Sequence, residues 1–174
     1  MYHTFCAAQS GILICTDVAA RGLDLPQVDW IVQYDPPHDT TDYIHRAGRT
    51  ARGGKAGCAL IFLLPSELQY LSLLSSHGLT VEALSLDALL GDVSSFVPGS
   101  KKFRNSQEMT GVILQRRFER ATLGNKYLLG AAKQAFSSSI RAYTTHSSGT
   151  REIFNIKKND IIKRPMINLP ETLV

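Results

Sequence analysis

Residues 11–16, Gly-Ile-Leu-Ile-Cys-Thr, form an unbroken apolar run that leads into Thr16-Asp17 and then into small residues, Ala19, Ala20 and Gly22, around Arg21. Such a run suits a strand covered on both faces, the environment of a parallel sheet. A second short strand is predicted over 29–34, Asp-Trp-Ile-Val-Gln-Tyr. Asp35-Pro36-Pro37 stops it, because proline cannot donate to a ladder. Thr40 or Thr41 can cap a short helix that carries Tyr43, His45 and Arg46. Gly53-Gly54-Lys55-Ala56-Gly57 then turns the chain into a third strand, 58–64. Ser66 and Gln69 are spaced as a capping box for the next helix, and Gly78 suits its end. Alternating strand and helix over residues 1–90 predicts an α/β parallel sheet. Three strands are few for such a sheet, and the chain starts close to a core strand, so the expectation is a partial sheet whose earlier strands are missing.

Residues 91–106 read as a linker by their Gly, Pro and polar content. Beyond it, Met109, Val112, Ile113, Leu114 and Phe118 recur at helical spacing. Gly124 breaks the pattern, and Leu128, Ala132, Ala135, Phe136, Ile140 and Tyr143 form a second helical face, ended by Ser147-Ser148-Gly149. The expected organisation is a partial α/β domain over 1–90, a linker over 91–106, a mainly α-helical basic extension over 107–164 and a tail over 165–174.

Composition separates these parts. Residues 1–100 hold five Lys/Arg and ten Asp/Glu, a net −5, whereas residues 101–174 hold fourteen and five, a net +9. A basic extension suggests a polyanionic partner; a solvated basic surface is the alternative. At 44% hydrophobic and 20% charged the chain is globular in type. No stretch is long and apolar enough to span a bilayer, which argues against a membrane partner. The start, Met1-Tyr2-His3-Thr4-Phe5, lacks the order of a secretory leader, which argues for cytosol or nucleus. Cys6, Cys15 and Cys58 are odd in number and no two are spaced for zinc, so they are expected to be reduced structural thiols. His3, His38, His77 and His146 need no role, and Trp30 is expected to pack beside its strand.

Two strings carry chemistry. In His45-Arg46-Ala47-Gly48-Arg49-Thr50-Ala51-Arg52, Arg49 and Arg52 are three apart and project to one side of a helical turn. Paired guanidinium forks suit a phosphate with spreading negative charge. A solvated basic helix end would explain the arginines, but not the histidine, glycine and spacing together. The other string, Thr16-Asp17-Val18-Ala19-Ala20-Arg21-Gly22-Leu23-Asp24, sits at the carboxyl end of the predicted strand, where open α/β sheets bind ligands. Its small residues admit a nucleic-acid backbone, Thr16 offers a hydroxyl, Arg21 a charge, and Asp24 an acceptor for a ribose. By itself this string could be a tight structural loop.

Together the two strings resemble motifs V and VI of the DEAD-box RNA helicases, the latter written His-Arg-x-Gly-Arg-x-x-Arg. Tyr34-Asp35-Pro36-Pro37 and Tyr43-Ile44-His45 follow the same family, and the likeness covers roughly residues 5–90. The resemblance implies the back half of the second of two RecA-like domains, which couple ATP hydrolysis to RNA binding across a cleft. It implies arginine fingers at Arg49 and Arg52, nucleotide contacts at His45 and Asp24, and RNA-backbone contacts at Thr16, Arg21 and Gly22. ATP and Mg²⁺ are the implied cofactors, held mainly by a first domain. The chain contains neither Gly-x-x-x-x-Gly-Lys-Ser/Thr nor Asp-Glu-Ala-Asp, so it is expected to be inactive as an ATPase by itself. Leu114-Gln115, Ala131–Phe136, Ile140–Tyr143 and Phe154–Lys158 resemble the extension of a ribosome-assembly branch of the family. That branch implies pre-ribosomal RNA and proteins as partners and a nuclear, nucleolar location. The extension is expected to act as a brace and as an RNA grip. A non-catalytic RNA-binding module and a DNA helicase of the same superfamily are the competing readings.

Overall fold

The computed structural model describes residues 2–17, 26–51, 53–54, 56–100 and 105–155. The chain divides into two compact units, Met1–Gly78 with His146–Phe154, and Leu79–Thr145 with the residues after Phe154.

In the first unit, helix α1 covers Tyr2–Ala7. Strands β1 (Trp30–Gln33) and β2 (Cys58–Ile61) pair in parallel, with Trp30 opposite Cys58 and Gln33 opposite Ile61. A parallel pair needs a crossover. Helix α2 (Thr40–Ala47) lies within the connection between the two strands. The cap of α2 is Asp39, not either threonine: its carboxylate accepts from the Asp42 N–H at 2.8 Å. A carboxylate there also meets the positive end of the helix dipole, which a hydroxyl does less well. Thr40 is instead buried, and its hydroxyl meets His77 Nε2 at 3.2 Å. After α2 the chain folds back so that the Thr50 hydroxyl donates to the carbonyls of Val28 and Asp29, the latter at 3.1 Å. Gly57 lies so close that a Cβ there would stand 2.0 Å from Thr50 Oγ1.

A 3-10 turn, Pro65–Glu67, precedes helix α3 (Gln69–Ser76). The cap expected from Ser66 and Gln69 is made by Glu67, whose buried carboxylate accepts from the Leu64 N–H at 2.8 Å. Gly78, with φ +76°, closes the helix as its position predicted.

The apolar run 11–16 is not a strand. Ile12 and Ile14 are 92% and 93% exposed, and the sheet of the described residues has two strands. Apolar character calls for cover, but strand formation requires a hydrogen-bonding neighbour, and none is provided there. Trp30, expected to be packed, is 57% exposed, and all three cysteines are free and exposed.

The second unit holds α4 (Leu86–Ser94), α5 (Ser106–Leu123) and α6 (Lys126–Tyr143). The expected division at residue 90 therefore falls inside a helix. Gly91, read as a linker residue, is a close-packing position: a Cβ there would meet Gln107 Nε2 at 3.3 Å. The α5–α6 hairpin forms where the periodicity predicts helices, but Val112, Phe118 and Leu128 of the predicted apolar faces are exposed. Gly124 caps α5, and the Asn125 side chain accepts from the N–H groups of Tyr127 and Leu128 at 2.9 and 3.3 Å.

Residues 146–154 rejoin the first unit. Phe154, Tyr70, Thr150, Leu74 and Pro37 are fully buried. Phe154 stacks on His146 at a centroid distance of 4.4 Å and lies 5.2 Å from the Tyr70 ring. The Thr150 and Ser147 hydroxyls both donate to the His38 carbonyl, at 2.6 and 3.3 Å. Three of the four histidines given no role are thus structural: His38 lies 5.4 Å from His146 ring to ring, and His77 meets Thr40, whereas His3 is exposed. Truncating Phe154 leaves a cavity against Tyr70. Phe154→Ala is expected to destabilise the first unit by roughly 3 kcal/mol in urea unfolding. An unchanged midpoint would show that the segment does not belong to that core.

Candidate nucleotide and nucleic-acid interface

Helix α2 sorts its side chains by chemistry. Asp42 and Tyr43 are buried, Ile44 and His45 are exposed, and Arg46 is half-buried. Burial raises the Tyr43 phenol above its ordinary pKa. The helix ends at Gly48, whose N–H donates to the Ile44 carbonyl at 2.7 Å, and the Arg49 N–H donates to the Arg46 carbonyl at 3.1 Å. The arginine string therefore straddles a helix end, with Arg49 just past the last turn.

Arg49 is half-buried, and its Nε is buried with no hydrogen-bond partner. A buried donor of a permanent cation without an acceptor is costly, and it suits an anionic oxygen arriving from outside. His45, exposed on the last turn of α2, is a further donor on the same element. These two groups fit a polyphosphate. Among the described residues no group of three or more His, Cys, Asp or Glu is arranged to hold a metal ion.

Arg46, to which no separate role was given, is the most engaged side chain of the element. Its Nε and Nη2 donate to the two carboxylate oxygens of Asp17, each at 2.6 Å. Its Nη1 donates to the Asp35 carbonyl at 3.0 Å and reaches Gln33 Oε1 at 3.5 Å. The fork thus draws the first string to the second: Thr16, exposed, is the neighbour of the residue that Arg46 holds. Both residues stood in the quoted strings, but nothing in their spacing identifies a fork between them. The structure therefore joins Thr16 to the element of His45 and Arg49. Arg21, Gly22, Asp24 and Arg52 lie outside the described residues.

The start of α2 is held from the far side. The Tyr70 hydroxyl donates to the Asp39 carbonyl at 3.2 Å. Burial first, then the charge of Asp39, raise the Tyr70 pKa well above its ordinary value.

The second unit offers a different surface. Arg116, Arg117, Arg120, Lys126, Lys133 and Arg141 are all exposed along α5 and α6. An open groove of about 530 Å³ is lined by Arg116, Glu119, Arg120, Leu123 and Gly124.

Comparison with known proteins finds two families in the chain, and the second match runs across the boundary between the units at residue 146. Residues 1–54 match the helicase conserved C-terminal domain, and residues 125–163 match the C-terminal extension of the ATP-dependent rRNA helicase SPB4-like type. The chain is 43% identical over 163 residues to the ATP-dependent RNA helicase HAS1 of Phaeosphaeria nodorum, covering 93% of this chain and 23% of that protein. It is 47% identical over 151 residues to the ATP-dependent RNA helicase dbp7 of Schizosaccharomyces pombe, covering 85% of this chain and 21% of that one. It is also 42% identical over 158 residues to a Dictyostelium discoideum protein named ATP-dependent DNA helicase DDX31, covering 89% and 17%. The chain therefore carries a helicase C-terminal domain and an SPB4-like extension, and these relatives are ATP-dependent helicases. It spans about a fifth of the length of the relatives it matches.

The Tyr70 shift has a direction in pH. A phenol whose folded pKa is raised contributes stability that is complete below the unfolded value of 10.0 and is lost as pH rises beyond it. The melting temperature is therefore expected to fall between about pH 10 and 11.5. In Tyr70→Phe, less stable at neutral pH, that fall should be shallower. An equally steep fall in the variant would assign it to other groups.

Proposed function

We propose that this chain is the C-terminal part of an ATP-dependent RNA helicase acting on ribosomal RNA precursors. It supplies arginine fingers and RNA-backbone contacts to a site completed by a first RecA-like domain. The observation that carries the reading is the Arg49 guanidinium: half-buried just past the end of α2, with its buried Nε lacking an acceptor. Such a group suits a phosphoryl oxygen that arrives from a facing domain.

In this reading Arg49 and Arg52 stabilise charge on the transferring phosphoryl group, His45 and Asp24 contact the nucleotide, and Thr16, Arg21 and Gly22 meet the RNA backbone. ATP with Mg²⁺, held mainly by the other domain, supplies the free energy of phosphoryl transfer. The role of this chain is to bind, to orient and to place positive charge. Contacts to a sugar-phosphate backbone hold RNA without reading its sequence. The match of residues 125–163 to an rRNA helicase extension supports ribosomal precursor RNA as the substrate, pre-ribosomal proteins as neighbours and the nucleolus as the location. The exposed cations of α5 and α6 support a grip on structured RNA.

A second reading, a non-catalytic RNA-binding module, is favoured by those same cations. Fluorescence anisotropy of labelled single-stranded RNA and matched DNA, titrated with the chain across a salt series, tests both. The expected outcome is RNA binding with a steep salt slope, weaker binding to DNA, and no RNA-stimulated ATP turnover. ATP turnover that disappears in Arg52→Ala would favour a self-sufficient enzyme, and equal affinity for DNA would remove the RNA preference. No binding at low salt by a folded, monomeric sample would sink both the grip and the module.

A further inference from the structure

Arg46 stands apart from its neighbours in the arginine string. His45 faces solvent and Arg49 keeps an unused donor, but Arg46 uses all three guanidinium nitrogens within the protein. Two of its bonds, at 2.6 Å each, form a parallel fork on the Asp17 carboxylate. The remaining nitrogen donates to the Asp35 carbonyl, just past the end of β1, and reaches the buried Gln33 side chain within β1. One side chain therefore ties together three stretches of chain: the residue after Thr16, the carboxyl end of β1, and the helix that carries His45. The Arg46 and Asp17 side chains are 16% and 33% exposed, so water screens the pair only in part. The fixed planar shape of the fork, more than its charge, determines what it can hold; a lysine ammonium has no equivalent.

We infer that Arg46 is a positioning residue: its fork on Asp17 fixes the Thr16–Asp17 backbone against the arginine helix, so that RNA contact at Thr16 and phosphate contact at Arg49 are set by one rigid element. The inference rests on the reading of Thr16 as an RNA contact. It has a mechanical consequence. A shift of α2 that accompanies phosphate contact carries Asp17, and with it Thr16, in the same direction. Coupling of this kind requires a bonded chain between the two sites, and the fork supplies it.

The sign of one substitution separates positioning from charge. Asp17→Asn removes a negative charge, which by simple electrostatics strengthens binding to a polyanion. Loss of the fork predicts the opposite. The test uses the full 174-residue chain, a labelled single-stranded RNA and four proteins: parent, Asp17→Asn, Arg46→Ala and Arg46→Lys. Asp17→Asn and Arg46→Ala should each weaken RNA binding about tenfold. Arg46→Lys, with its charge intact, should recover only part of that loss. In the same samples the ¹⁵N order parameters of Thr16 and Asp17 should fall from about 0.85 in the parent toward 0.6 in the variants. Those of α5 and α6 should stay unchanged, which marks the proteins as folded.

Order parameters of Thr16 and Asp17 unmoved in Asp17→Asn or Arg46→Ala would overturn the inference, as would complete recovery in Arg46→Lys; unchanged or stronger RNA binding with lowered order parameters would overturn the reading of Thr16 instead. A parent chain that binds no RNA would likewise overturn the reading of Thr16. The clamp would then be decided by the order parameters alone, and values unmoved in Arg46→Ala would overturn it as well.

Discussion

The His38 carbonyl is the point on which the first unit is hung. It accepts from Thr150, 112 residues later in the chain, and from Ser147. The next carbonyl, that of Asp39, accepts from Tyr70, and the Asp39 carboxylate caps α2. The His38 and Asp39 carbonyls thus each take a hydroxyl donor from a distant segment, which satisfies backbone that would otherwise lack one. The Phe154, Tyr70 and His146 rings close over the same turn and keep water from competing for those bonds. The direction in which α2 leaves the turn, and so the placement of His45 and Arg49, follows from hydroxyls supplied near residues 70 and 150. A segment that the sequence assigns to the extension is therefore a structural part of the helicase unit.

Basic residues stand in three physically different settings. Arg46 is mostly buried and engages all three guanidinium nitrogens within the protein, a bracket whose value lies in geometry. Arg49 is half-buried and leaves one buried donor unanswered. The cations of α5 and α6 are exposed and act through summed charge, which attracts a polyanion at long range and weakens with salt. A charge count cannot separate these uses. The net −5 of residues 1–100 hides a cationic element, because Asp17 is committed to an internal contact beside it and Asp42 is buried.

The sequence by itself determined what local rules decide. The strands around Trp30–Gln33 and Cys58–Ile61, the proline stop after Tyr34, the glycine ends at Gly78 and Gly124, and the α5–α6 hairpin all follow from signals that act within a few residues. Its two motif strings also singled out the element of His45 and Arg49 as the candidate site. Tertiary structure decided the rest. Residues 11–16 have the composition of a buried strand, yet stay unpaired, because a strand exists only with a hydrogen-bonding neighbour. The unit boundary falls away from residue 90, since Gly91 packs against Gln107 instead of loosening the chain. The Arg46–Asp17 fork and the Thr150–His38 bond join residues 29 and 112 positions apart. Sequence names the groups able to make such bonds, but which groups meet is fixed by the surfaces that folding brings together.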